Sequence, residues 1–582
     1  MLFHKALRLL SPILLLLNES VHGKVIPPRD SYDGCRAIPG DYSWPSLADW
    51  NALNKTVGGR LIATIPIGAL CHRTYSSQTG DIASYDKQKC QELRDSWFLP
   101  ETHLASSSSP MAYAFSNNSC NPWLDPAVSC TIGRHVVYAI NALGPSDIQQ
   151  GVKFAKAHKI RLVIRNTGHD YLGRSTGAHA LGVWTHNMKS MELTKYQSRD
   201  YSGPAVKIGA GVHGVDAYTF ANSKGLVVVG GNCPSVGIAG GYTQGGGHGP
   251  LASKYGLGAD QVLEWEVVTA GGQLLTANCN QNSDLFWALR GGGPGTFGVV
   301  VSMTVKAYPD SYASTAYFSV LDNGTNTDTI YKAIGSFLTL LPNIVDAGVY
   351  ALWVVNPAGF FLMPAFAPTL RKGELDKILK PTLDAMDSLK LGYQYSSSEN
   401  PTFLSAYKSL TSSWNVSDYS TGGRLIPRDV AKNNKDALVK AIRHIGSKTL
   451  FSAVSFNVKN GVSSPDENAV NPYFRSSLFN VFMGVPLNYT DYNGQTGENE
   501  ITNDYLPALA ALTPNGGAYP NEADVNQPDF QSVFYGTHYK KLLTIKNKYD
   551  PQGVFYAKAG VGSEAWKEQV DGRLCQIKSA AS

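Results

Sequence analysis

The sequence predicts an α+β protein in two parts, and three observations carry that prediction. Strand and helix patterns alternate between about residues 131 and 310, whereas beyond Pro309 glycine thins out and longer mixed segments begin. Glycine and tyrosine are abundant, at 57 and 30 residues, which suits a chain with many turns and strands. Charged residues make up only 16% of the 582, below the roughly 25% of an average soluble protein, while the 43% hydrophobic content is enough for more than one core. The net charge of +5 is spread along the chain without a run of Lys and Arg, which argues against nucleic acid as a partner.

The elements follow in chain order. Residues 1–23 read as a secretion signal: Lys5 and Arg8 precede the apolar run "LLSPILLLL", and Val21 and Gly23 are small enough for a cleavage site. That run is too short to span a bilayer, and no later segment approaches a membrane helix. Acceptor triplets for N-glycosylation at Asn54, Asn117, Asn323, Asn415 and Asn488, together with eight cysteines, fit an oxidising compartment. Cys71 with Cys90 and Cys120 with Cys130 would close short loops and are the expected disulfides. Residues 24–130, rich in Pro, Ser and Cys, read as a surface wrap.

From residue 131 the pattern sharpens. "HVVYAI" is a strand, "PSDIQQGVKFAKAHK" a helix with Ser146 as N-cap and Ile148, Val152 and Ala155 along one face, and "IRLVIR" the next strand: a β-α-β unit. Strands at "ALGVWT" and "PAVKIGAG" follow, then a helix from about His213 to Lys224 closed by Gly225, and "LVVVG". "QVLEWEVVTAGGQLLTA" reads as a hairpin turning at Gly271 and Gly272, and "SDLFWALRGGG" as a short capped helix.

Three loops stand out. "RNTGHD" carries Arg165, Asn166, Thr167, Gly168, His169 and Asp170 at the end of a strand, where backbone amides can turn toward an anion. "VGGNCPSVGIAGGYTQGGGHG" holds Cys233 among Gly237, Gly240, Gly241, Gly245, Gly246 and Gly247, and "RGGGPGTFGVV" runs from Arg290 to Val300. Close approach of backbone to a diphosphate needs residues without Cβ, because a side chain there would fill the ligand's space. Any one of these loops reads as a tight turn; three in one region point to a cofactor. There is no GxxxxGK[ST], and no clean GxGxxG opens a helix after a first strand.

These motifs, in this order and with "KYGLGADQVLEWEVVTAGG" between the second and third, resemble the flavin-binding region of the vanillyl-alcohol-oxidase superfamily. The likeness is greatest to its berberine-bridge-enzyme-like group, especially the secreted fungal isoamyl-alcohol-oxidase-like members. "YPNEAD" and "FYGTHYKKLLTIKNKYDPQGVF" extend the resemblance to the C-terminus, and it is weakest between about 311 and 510. It implies a two-lobed PCMH-type FAD-binding domain at 131–310, with 24–130 wrapped on it. A substrate domain at 311–515, built on an antiparallel sheet, would roof the ring, and 516–582 would return to the FAD domain.

The resemblance also implies FAD held by two covalent bonds, from His169 to the flavin 8α carbon and from Cys233 to carbon 6. Pro234, Ser235 and Val236 flank that cysteine, and Gly256, Asp260 and Val299 fall among the cofactor contacts. A neutral imidazole and a thiolate are suitable nucleophiles for those electron-poor carbons. Taken alone, His169 beside Asp170 reads as a structural histidine, and Cys233 as a buried thiol or a disulfide partner of Cys279. If flavin takes Cys233, seven cysteines remain and at least one more is free or differently used; Cys279 is the candidate. Val236, three positions after the cysteine, is the small residue that oxygen-reactive relatives carry there.

Alcohol oxidation needs a group that takes the hydroxyl proton. Tyr519, Asn521 and Glu522 are the expected catalytic set, with Tyr519 first as base; His248 and groups near Tyr473 or Tyr489 are further candidates. The expected function is a secreted, monomeric FAD-dependent oxidase that takes hydride from an alcohol or related C–H substrate and reduces O₂ to H₂O₂. No metal is expected. A dehydrogenase of the same fold and a non-catalytic extracellular carbohydrate-binding flavoprotein are the alternatives.

Overall fold

The computed structural model describes residues 34–577, apart from 78–79, 112, 411–414, 460, 463 and 491–495. The signal segment expected at 1–23 lies outside the described residues. Among those described, no helix is long and apolar enough to cross a membrane.

The first sheet contains β1 (Leu61–Ala63), β2 (Tyr138–Asn141), β3 (Leu162–Arg165) and β4 (Leu181–Trp184), in the order β1-β2-β4-β3. Helix α1 (Pro145–Ala157) connects β2 to β3, and Ile148, Val152 and Ala155 are its buried face. The expected β-α-β unit forms, but β4 inserts between its strands and pairs in parallel with both. Ser146 does not cap α1: Gly144 is the N-cap and Pro145 opens the helix, where its missing N–H costs nothing.

The second sheet holds β5 (Met191–Gln197), β6 (Ser202–Gly209), β7 (Val262–Val268), β8 (Leu274–Asn278) and β9 (Val299–Lys306), in the order β8-β7-β9-β6-β5. The hairpin β7–β8 turns at Gly271 and Gly272 as its sequence indicates, and Gly272 has φ +74. Helices α2 (Gly214–Asn222) and α3 (Ser283–Leu289) complete this lobe. Strand β5 carries no alternating apolar pattern, and its residues are half-buried or exposed, which is why sequence reading passed over it.

The third sheet is a seven-stranded antiparallel one. Its strands are β10 (Ala313–Leu321), β11 (Tyr350–Asn356), β12 (Gly359–Pro368), β13 (Gln394–Asn400), β14 (Tyr419–Pro427), β15 (Leu450–Ser455) and β16 (Ser477–Pro486), ordered β13-β10-β12-β11-β15-β16-β14. Helices α4 (Thr327–Asp346), α5 (Lys372–Ser388) and α6 (Lys435–Gly446) pack on one face. On α4 the buried residues Ile330, Ile334, Phe337, Leu338, Leu341 and Val345 recur at helical spacing. Burying each of them contributes about 1.5–3 kcal/mol before entropy is counted. Successive strand residues point to opposite faces, so Ala351, Trp353, Phe451, Ala453, Val481 and Met483 enter this core. Leu352, Ser452, Val454, Asn480 and Phe482 are thereby turned to the other face, toward the first two sheets.

The C-terminal segment packs into the core of the first two sheets through Phe534, Tyr535, Leu542, Ile545 and Phe555. Lys546, on helix α7 (Tyr539–Tyr549), is buried; its Nζ donates to Asp550 Oδ2 at 2.6 Å, Phe555 O at 2.7 Å and Thr296 O at 2.8 Å, which pins α7 to the third glycine loop. Disulfides join Cys71 to Cys90 and Cys120 to Cys130, as expected, and a third joins Cys35 to Cys575. Cys233 and Cys279 are both free thiols, so they do not form the competing disulfide. The N-terminal segment reaches further than the first two sheets: Trp97 Nε1 donates to Tyr489 Oη at 3.1 Å, and Val416 N to Phe98 O at 2.9 Å.

Candidate active site

A cleft of about 1730 Å³, its open mouth included, lies between the helix-free face of the third sheet and the loops of the first two. The loop after β3 forms part of its floor. Gly168 turns at φ +87 above the Arg165 guanidinium, and a Cβ there would stand 2.5 Å from it. Arg165 is fully buried without a carboxylate partner: Nη2 donates to His103 O at 3.0 Å, while Nε and Nη1 have no partner. Burial lowers its pKa to about 10. Asp170 holds the turn by accepting from Leu172 N at 3.2 Å, Ser175 N at 3.1 Å and Arg174 N.

The Cys233 loop comes to the same place from the other side. The first turn of α2 fixes it, with Gly214 N donating to Val236 O at 2.9 Å and Val215 N to Pro234 O at 3.1 Å. Ser235 Oγ lies 2.7 Å from His169 Nε2 and 3.6 Å from Cys233 Sγ. Burial lowers the His169 pKa to about 4, and the Arg165 charge adds to that, so the imidazole is neutral at physiological pH. Burial raises the pKa of the Cys233 thiol, although hydrogen bonds from Ser235 and the Val236 amide oppose the shift.

Facing them is a second polar group. Glu522 accepts from His248 Nε2 at 3.1 Å on both oxygens, and from Asn480 Nδ2 at 2.6 Å on Oε2. A carboxylate only accepts, so His248 carries its proton on Nε2, and its buried Nδ1 has no partner. Tyr519 is buried, its hydroxyl donating to Tyr242 O at 3.4 Å and accepting from Asn521 Nδ2 at 2.8 Å. Burial, then the charge of Glu522, pushes its pKa well above the ordinary phenol value.

The chain matches the family described as "FAD binding domain" over residues 140–278 and the one described as "Berberine and berberine like" over 518–562. It is 44% identical over 550 residues to the FAD-linked oxidoreductase sor8 of Hypocrea jecorina, covering 94% of each chain. The solved structure of the VAO-type flavoprotein MtVAO615 from Myceliophthora thermophila C1 superposes with a TM-score of 0.88 at 38% identity, over 93% of this chain and 100% of that one. The chain belongs to the VAO and berberine-bridge-like FAD-linked oxidoreductases. Glucooligosaccharide oxidase from Acremonium strictum, described with a 6-S-cysteinyl, 8α-N1-histidyl FAD, shares the fold at a TM-score of 0.60 and 19% identity, over 73% of this chain and 91% of that one.

The residues of this family member fit the cofactor. Nη1 and Nη2 of Arg174 are buried in the cleft wall without a partner, a cation placed for a diphosphate. Gly240, Gly241, Gly295 and Gly298 leave backbone bare along the same wall. At Gly240 a Cβ would come within 2.9 Å of Asn166 Cγ.

Of the residues expected from sequence, Asn166, Thr167, Gly168, His169, Asp170, Cys233, Val236, Gly237, Gly240, Gly241, Tyr519, Asn521 and Glu522 line the cleft. Arg165, Pro234 and Ser235 stand behind that lining. Gly245 and Gly247 are packed under Asn521 and Tyr242, and Gly246 lies against Val470. Gly256 turns at φ +89 against Asp260, whose carboxylate is taken by Arg475 at 2.8 and 2.9 Å and by Asn468 at 2.7 Å. Asp260 therefore ties two chain segments together. Val299 points away; its neighbours Gly298 and Val300 line the cleft, as strand alternation requires. Tyr473 and Tyr489 do not line it. Sequence reading also passed over Arg174, although a cation four residues after Asp170 in a glycine-bearing loop was a signal. Nothing local marked Asn480, Ser452 or Phe482.

Proposed function

We propose that this chain is a secreted oxidase that takes hydride from a substrate alcohol to FAD tethered through His169 and Cys233, with O₂ reduced to H₂O₂. The observation that carries the reading is Glu522, a carboxylate fixed by two donors in the cleft that His169 and Cys233 also line. FAD, when bound, supplies the two-electron acceptor. Glu522 takes the hydroxyl proton as the carbon–hydrogen bond breaks, and His248 and Asn480 hold its free lone pairs toward the cleft. Tyr519 is the weaker base, because its hydroxyl is already engaged and its proton is tightly held. Its part is to position Asn521 against Gly241.

Leu352, Val454, Phe482 and Tyr171 give the substrate side apolar walls, relieved by Ser452. That lining suits a compact, largely apolar alcohol better than a hydrated sugar chain. For secretion, the signal-like N-terminus, three disulfides and exposed acceptor asparagines at 117, 323, 415 and 488 are the support. The test is anaerobic titration with aryl, alkyl and sugar alcohols, followed by oxygen. An alcohol that bleaches the flavin, with one H₂O₂ formed per turnover, supports the reading. Bleaching that only an artificial acceptor reverses makes the chain a dehydrogenase, and no bleaching by any class makes it a binding protein.

A further inference from the structure

Ser235 is placed between the two residues proposed as flavin tethers, which gives it a part in making them. Its Oγ is 2.7 Å from His169 Nε2 and 3.6 Å from Cys233 Sγ. Among the described residues no hydrogen bond engages His169 Nδ1, and His169 lines the cleft. The nitrogen turned to Ser235 is thus committed, and Nδ1 is left to attack.

We propose that Ser235 is the shared proton relay of the two tethers: it holds the proton of His169 Nε2 while Nδ1 attacks, and afterwards passes the Cys233 proton to the same Nε2. This rests on the reading that His169 and Cys233 hold the flavin. Before any bond forms, neutral His169 donates from Nε2–H to Ser235 Oγ, which leaves a lone pair on Nδ1. Once Nδ1 is bonded to carbon, loss of the Nε2 proton leaves a neutral ring whose Nε2 can only accept. Ser235 then turns its hydroxyl toward Nε2 and accepts from Cys233 Sγ. Each tether replaces one flavin C–H bond and one N–H or S–H bond with a single N–C or S–C bond. The two electrons and two protons released reduce dioxygen to H₂O₂.

The surroundings explain why a relay is needed. The cysteine is half-buried, desolvation raises its pKa, and among the described residues it has no cationic partner, so a thiolate is not stored at rest and must form as the bond forms. General-base transfer through a hydroxyl lets the proton move in step with the S–C bond, without a resting ion pair. The histidyl link therefore comes first, and the cysteinyl link depends on it.

The experiment compares wild type, Ser235→Ala and Ser235→Thr holoproteins. The readout is the mass and absorbance of flavopeptides released by proteolysis after denaturation, which is independent of turnover. Wild type and Ser235→Thr should carry both links. Ser235→Ala should carry the histidyl link with less than about a tenth of the cysteinyl one, a loss set by the 10²–10⁴-fold worth of a positioned base. On aerobic incubation its cysteinyl link should form about tenfold faster per pH unit, as hydroxide replaces the relay. Cysteinyl linkage complete in purified Ser235→Ala overturns the relay while the tethers stand. A wild type with no covalent flavin overturns the tethers, and the relay with them.

Discussion

The two walls of the cleft are built on different principles. The floor is made from backbone: the loops at 165–170, 229–249 and 290–298, glycines where a Cβ would collide, and two nucleophiles delivered by short motifs. The roof is made from side chains of three strands, β11, β15 and β16, whose other faces are buried under helices. A floor of this kind fits one rigid cofactor and tolerates little change. A roof of this kind presents alternate residues of an already stable sheet, so its lining can vary without loss of the fold. On the proposed function, the cofactor side of the site is thus held by backbone geometry, and substrate choice by replaceable side chains.

The sharpest way to break this division is at the floor. Cys233→Ala should leave a histidyl-linked flavin and His169→Ala a slowly formed cysteinyl-linked one, whereas the double variant should release all its FAD on denaturation. Absorbance of the acid-precipitated pellet and supernatant decides it. If the double variant still retained flavin on the polypeptide, the floor would hold the cofactor through some other residue.

At the roof side, Glu522→Gln keeps the shape, and its one oxygen can still accept from Asn480, but it removes the proton acceptor. Anaerobic flavin reduction by substrate should slow by about 10²–10⁴-fold, with substrate affinity changed far less. His248→Gln, which removes one of the two donors that hold Glu522, should cost less and should move the pH profile of reduction. If Tyr519→Phe slowed reduction by that factor while Glu522→Gln stayed active, the base would have to be reassigned to the phenol.

How much of each wall was legible follows the same division. Floor residues stand close together in sequence, so His169, Cys233 and the glycines around them could be named from motifs. Strand geometry still decided details: Val299 and Val300 are neighbours, yet only the second lines the cleft. The family resemblance put Asp260 among the cofactor contacts, but its partner Arg475 lies 215 residues away and carries no local mark. The Cys35–Cys575 disulfide was out of reach for the same reason, with 540 residues between its halves. On the roof, Leu352, Ser452, Asn480 and Phe482 meet only because β15 pairs with both β11 and β16. No spacing in the sequence announces that register.

Acid should loosen the floor before the roof. His103 and His135 are buried with pKa values of about 4, in both cases through burial first. Unfolded histidine titrates near 6.5, so between roughly pH 6.5 and 4 the unfolded chain binds more protons than the folded one. Their contribution is therefore fully present above pH 6.5 and is lost as pH falls toward 4. Each histidine adds a slope of about 1.4 kcal/mol per pH unit in that window. Thermal unfolding of the holoprotein should show Tm dropping steeply across it. Hydrogen exchange should rise first in β2 and β3, before β11 and β15. A Tm unchanged from pH 6.5 to 4 would mean that these rings are protonated in the folded state.

The smallest expected effect is also the most selective, because it separates the two half-reactions at one residue. Val236 lines the cleft beside Cys233, and the backbone that carries it is fixed by Gly214 N. Its side chain is half-buried, so one added methylene can extend into the cleft without overpacking a core. Substrate is proposed to approach from the roof, near Glu522, whereas dioxygen must reach the ring past the Cys233 loop. Val236→Leu should therefore slow reoxidation of the reduced enzyme by about tenfold, equivalent to about 1.4 kcal/mol on that barrier. Anaerobic reduction by substrate should stay within about twofold, a few tenths of a kcal/mol on the same scale. Stopped-flow mixing of reduced enzyme with buffers of graded oxygen content measures the first, and anaerobic mixing with alcohol the second. Equal slowing of both steps would place substrate and oxygen on a shared path over the floor, and the two walls would then not divide the work as proposed.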